Sequence, residues 1–173
     1  YQVMSRDLLK VPKIKIVRPG FNSVLLTIRH PLNLLRSSSI GAFFGALPGA
    51  GGVISSFTSY AVAKSLSKSE EAYGDGAEGG IVATEGANNA TVGGTLVPTL
   101  ALGIPGDASS AMLLGALLIL GFLPGPTLFE GQPHIVSGIF ISYLASNVML
   151  LIAGILATPL FVYVLRIPKS YLL

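Results

Sequence analysis

Two proline-glycine interruptions carry the chemistry this sequence offers. Pro48, Gly49, Ala50, Gly51 and Gly52 precede Ser55, and Gly103, Pro105, Gly106 and Asp107 precede Ser109 and Ser110. Each interruption ends one helical stretch and starts another. A helix start presents unpaired backbone N–H groups and the positive end of the helix dipole, which suits a carboxylate, and paired discontinuous helices mark midplane sites in secondary transporters. The competing use of the same glycines is close helix packing through small residues. Asp107 reads equally as a ligand for a coupling ion and as the N-cap of a helix beginning at Ala108. Glu85, Asn88 and Asn89 stand at i, i+3 and i+4 and so share one helical face. They offer oxygen ligands to Na+, hydrogen bonds to a polar substrate, or polar contacts between helices.

Other chemistries fail on residue type. There is no cysteine, which removes disulfides, thiolate nucleophiles and Cys-ligated metals, and two histidines cannot build a three-histidine metal centre. The GxSxG, GxxxxGK[ST] and HExxH patterns are missing. His30 lies in a basic flank and His134 in a proline-rich turn, each without an obvious acid partner. An intramembrane hydrolase would have only Glu85 and Asp107 to work with. Gly74-Asp75-Gly76 is turn chemistry, since no strand precedes it.

The elements that must position these residues are apolar. Hydrophobic residues make up 51% of the 173 and charged residues 11%, against about 25% in soluble domains. Four stretches free of ionisable residues, 37–63, 86–106, 108–129 and 135–165, each exceed the roughly 18 residues expected of a membrane segment. The expected class is therefore an all-α polytopic membrane protein with discontinuous helices. In the first stretch the Pro48 break leaves arms 37–47 and 53–63, each about half the length needed to cross a ~30 Å core. Arg29 and Arg36 precede it and Lys64 and Lys68 follow, so the positive-inside rule puts both ends in the cytoplasm. Residues 37–64 are thus expected as a re-entrant hairpin, with a single kinked crossing as the alternative.

Residues 1–36, with seven of the eleven Lys and Arg and only Asp7 against them, read as a basic cytoplasmic loop, neither a signal peptide nor a nucleic-acid face. Residues 37–173 form the membrane domain. Within it, 65–80 is expected as a cytoplasmic loop, 81–122 as a broken helical element, 123–134 as an outer loop, 135–165 as a transmembrane helix and 166–173 as a cytoplasmic end. The start at Tyr1 and the stop after an apolar run suggest a piece of a longer chain.

Four motifs, in order and spacing, carry a family likeness: Leu47-Pro48-Gly49-Ala50-Gly51, Glu85 through Asn88-Asn89-Ala90, Leu102-Gly103-Ile104-Pro105-Gly106, and Gly121 through Pro124-Gly125-Pro126. From about Asn22 to its end the sequence resembles the large membrane subunit of tripartite tricarboxylate transporters, at the start of that subunit's second half. The resemblance implies a multi-pass permease of the bacterial inner membrane that imports di- or tricarboxylates such as citrate. It implies a small membrane subunit and a periplasmic substrate-binding protein as partners, and an ion gradient rather than ATP as the driving force. No cofactor is expected beyond a coupling Na+ or H+. The family usually places Pro-Glu before the paired asparagines where this chain has Thr84-Glu85, which leaves the local helix start open.

The resulting expectation is that the tips at 48–52 and 103–110 face each other across a carboxylate site. Backbone N–H groups there would act with Ser55, Ser109 and Ser110, while Glu85, Asn88, Asn89 and Asp107 serve the coupling ion or shape the site. A polyanion site lined by Asp107 needs a cation to offset repulsion. The alternative is a membrane scaffold or assembly subunit that moves nothing, its glycines serving packing alone.

Overall fold

The computed structural model describes Leu25, residues 27–67 and residues 73–164, and its regular elements are all helices. Most of the expected basic loop, part of the 65–80 loop and the 166–173 end lie outside the described residues. Among the described residues six helices of more than one turn follow in order: α1 (Pro31–Ala46), α2 (Gly51–Leu66), α3 (Glu78–Leu102), α4 (Ala108–Ile119), α5 (Pro126–Gly131) and α6 (Pro133–Val164).

Their ends follow local chemistry. Proline opens α1 and α5, where its fixed φ suits the first turn and its missing N–H costs no helical bond. Before Pro48 the chain turns extended at Leu47, as the proline ring requires of its predecessor, and α1 stops. Gly49 (φ 80°) and Gly51 (φ 65°) then reverse the chain into α2. Glu78 sits favourably in the first turn of α3, and the left-handed Gly103 ends it. No proline is needed before Glu85, because α3 is already about two turns old there.

The arms of the hairpin are longer than the ion-free stretch implies. α1 and α2 have 16 residues each, about 24 Å, because Arg36 and Lys64 sit inside helices instead of bounding them. The stretch 108–129 is no single span: the turn between Ile119 and Pro126 divides it into α4 and α5. α3 has the length to cross a bilayer but carries Glu78, Glu85, Asn88 and Asn89. Among the described residues only Pro133–Phe161 is both long and apolar enough to span.

α3 is the spine. α1 runs beside it and α2 returns, so both ends of the hairpin meet the start of α3. Ser37, Gly41 and Gly45, four residues apart, make the buried face of α1. They lie so close to Gly86, Ala87, Thr91 and Gly94 that a Cβ on Gly41 would overlap the Ala87 carbonyl and one on Gly45 the Thr91 carbonyl. Ser55, Ser59 and Ala63 give α2 the same stride. This is small-residue packing, in which backbones approach and dispersion replaces bulky side chains. A second, apolar cluster of Leu96, Leu100, Leu117, Leu128 and Val136 joins the end of α3 to α4, α5 and the start of α6. Beyond that cluster α6 is exposed along its apolar length.

Candidate functional site

The two helix breaks meet. The Gly49 N–H donates to the Gly106 carbonyl at 3.2 Å, tying the turn between α1 and α2 to the turn between α3 and α4. Gly106 is buried, and a Cβ there would lie 2.8 Å from Thr95 Cγ2 and 3.1 Å from the Gly45 carbonyl oxygen. Only a residue without a side chain lets the second break reach this deep between α1 and α3. Pro48 and Gly49 are exposed on top of the contact, with Ala50, Gly51 and Gly52 half-buried below.

The two helix starts differ. α2 begins at Gly51 behind Ala50, and no side chain caps it. Its first-turn amides have no intrahelical acceptor and no side-chain cap, the type of helix end that suits an anion. The side chain of Asn88 lies directly over Gly52, so α3 delivers an amide group to that same end. α4 begins at Ala108 with its N-terminus already occupied. Asp107 Oδ1 accepts from the Ser110 N–H at 2.7 Å, and Ser110 Oγ accepts from the Asp107 N–H at 2.9 Å, a closed capping box. The carboxylate of Asp107 therefore occupies the anion-binding end of α4 itself. Ser110 is buried in this box, while Ser109 and Ala108 are exposed.

Ser55 lies one turn into α2, fully buried, with its Oγ 2.6 Å from Thr91 Oγ1 and 2.9 Å from the Gly52 carbonyl oxygen, two acceptors for its one proton. It holds α2 on α3 beneath the open helix start. Glu85 and Asn89 are exposed, and the Asn89 side chain donates to the Glu85 carbonyl at 2.8 Å. Of the three polar residues on that face of α3, the structure brings Asn88 to the tips, and Glu85 lies about one turn further from them. Gly103 and Pro105 shape the descent of the second break, with the Gly103 N–H returning to the Thr99 carbonyl. Among the described residues no three His, Asp or Glu side chains gather into a metal-binding group.

Residues outside the expected set also build the site. Thr91 and Thr95 are buried beneath the tips, and each hydroxyl is satisfied within its own helix, Thr91 toward Ala87 at 2.8 Å and Thr95 toward Val92 at 2.8 Å. That back-bonding makes a buried polar wall inexpensive. The signal in the sequence is the four-residue stride of Ser37, Gly41 and Gly45, matched by Ala83, Ala87, Thr91 and Thr95.

The family model described as the tripartite tricarboxylate transporter TctA family matches residues 5–173. An uncharacterized 52.8 kDa protein in the TAR-I ttuC' 3' region of Agrobacterium vitis is 38% identical over 139 residues, covering 80% of this chain and 28% of that protein. An uncharacterized protein in the TAR-II ttuC' 3' region of the same organism is 40% identical over 132 residues, covering 76% of this chain and 54% of that protein. The match thus spans 28% and 54% of the length of these two curated relatives. No solved structure matches the chain.

Proposed function

The chain belongs to the tripartite tricarboxylate transporter TctA family, and on that premise we propose that it forms part of the permease of a secondary transporter importing di- or tricarboxylates. The observation that carries the reading is the Gly49 to Gly106 contact, which joins two helix breaks beside one open helix start. A carboxylate of the substrate docks on the first-turn amides of α2, at Gly51 and Gly52, beside the Asn88 side chain. The capped start of α4 makes the second half of the site conditional. Asp107 fills it with its own carboxylate, so a second substrate carboxylate enters only when a cation screens Asp107 or a proton neutralises it. That is a physical route to Na+ or H+ coupling, with Glu85 and Asn89 as further oxygen donors on α3.

The family implies the rest of the machine: a small membrane subunit, a periplasmic substrate-binding protein, and a multi-pass setting in a bacterial inner membrane. The test is uptake of a radiolabelled carboxylate panel, citrate first, into vesicles carrying the full-length protein and both partners. Accumulation that requires a Na+ or a proton gradient supports the reading. No accumulation of any carboxylate under either gradient overturns it and leaves the scaffold, for which the tight glycine packing of α1 on α3 would be the whole purpose.

A further inference from the structure

At the far end of the hairpin from the tips, the start of α1, the end of α2 and the start of α3 enclose a cavity of about 440 Å³. Arg29, His30, Asn33 and Arg36 line it, and among the described residues no acidic one does. Arg36 is half-buried and held in place: its Nη2 donates to Asn33 Oδ1 at 2.6 Å, and Asn33 Nδ2 donates to the Gly79 carbonyl at 2.7 Å. Asn33 uses both ends of its amide to fix the guanidinium between α1 and α3. Yet the Nε of Arg36 is buried with no hydrogen-bond partner. A buried charged donor left unpaired is a costly arrangement, and it shows how tightly the inner edge of the guanidinium is packed against the helices.

Two independent features point to the same ligand. α1 starts at this cavity with Pro31 in its first turn and no side-chain cap from His30, so the positive helix end adds to the two guanidinium groups. Arginine presents a planar fork that matches phosphate oxygens. The rim is apolar: Leu32 is 80% exposed and Leu66 is 62% exposed, and both line the cavity. We infer that this pocket binds a phosphate-bearing anion through Arg36 and Arg29, and the apolar rim assigns it to the headgroup of an anionic membrane lipid. The pocket is separate from the tips where the substrate carboxylate is placed, and it stands or falls without that placement. Basic pockets between helices near the cytoplasmic surface recognise lipid headgroups by this chemistry.

The experiment is native mass spectrometry of the full-length protein in detergent, titrated with phosphatidylglycerol, beside a thermal-shift titration with inorganic phosphate. Retained phosphatidylglycerol that falls roughly tenfold in occupancy in the Arg29→Gln/Arg36→Gln variant is the expected result. Arg36→Lys, which keeps the charge and loses the planar guanidinium fork, should fall between the two and supplies the readout if the double variant does not fold. Lys64→Gln, the loss of one positive charge outside the pocket, should bind like the parent. Stabilisation by inorganic phosphate alone, lost in the same arginine variants, would retain the phosphate site and reassign its source to a soluble anion. Binding of neither probe, equal binding by parent and arginine variants, or an equal loss in Lys64→Gln would overturn the inference.

Discussion

Gly106 and Gly93 differ by surroundings alone, and that difference is measurable. A Cβ on Gly106 meets Thr95 and the Gly45 carbonyl, whereas a Cβ on Gly93 meets nothing within 4 Å. Gly106→Ala should destabilise the full-length protein by about 1–3 kcal/mol through overpacking. Gly93→Ala, inside α3, should be neutral or stabilise by up to about 1 kcal/mol through helix propensity. Thermal unfolding in detergent checks both; equal melting temperatures would mean that the second break is not seated as described. Asp107 separates capping from ion binding at the same scale. Asparagine caps as well as aspartate does, so Asp107→Asn should keep stability, while Asp107→Ala should lose about 1 kcal/mol. If Asp107 also serves the coupling ion, Asp107→Asn should abolish gradient-driven uptake at normal stability. Unchanged uptake would leave it a cap alone.

α1, α2 and α3 cohere through backbone approach and a few hydroxyls, with little large apolar surface between them. The Ser55 to Thr91 contact is the clearest cross-helix bond, at 2.6 Å and fully buried. A double-mutant cycle with Ser55→Ala and Thr91→Val should give a coupling of about 0.6–1.7 kcal/mol, the range found for side-chain bonds between membrane helices. A coupling near zero would assign all of the α2 to α3 attachment to shape. Ser59, one turn on, is fully buried with its Oγ unpartnered. Ser59→Ala should therefore be tolerated or mildly stabilising, since it removes an unsatisfied polar atom and keeps the small volume. The same melting experiment decides it.

The molecule as a whole is two packing regimes on one spine. Small residues seat the hairpin on the first part of α3, and leucines with Val136 gather α4, α5 and α6 around its end. The exposed stretch of α6 is long and apolar enough to cross a bilayer. Because the hairpin returns, the flanks at Arg29 and Gly74 lie at one end of it, and the tip at Pro48 lies at the other. If it enters the membrane from the cytoplasm, single cysteines at 29 and 74 in a cysteine-free full-length protein should both be labelled only from the cytoplasmic side. A cysteine at 130, beyond α4, should react from the opposite side. Labelling of 29 and 74 from opposite sides would contradict the hairpin.

Much of this was legible in the residues themselves. Composition fixed the helical, apolar character, because 11% charge cannot coat a globule. Pro48-Gly49 and Pro105-Gly106 marked the breaks, because proline ring geometry and glycine φ freedom act within a few residues. Asp107 as a cap was readable for the same reason, its partner being Ser110 three positions on. Helix lengths were not readable from ion-free gaps, since Arg36 and Lys64 sit in helices and the turn after Ile119 carries no charge. The contact between Gly49 and Gly106, the seating of Asn88 over Gly52, and the pairing of Ser55 with Thr91 join residues that stand 36 to 57 positions apart. Only the packing of α1 and α2 on α3 brings them together. Sequence dictates conformation through local sterics, but which small faces meet is decided by how closely whole helices can approach.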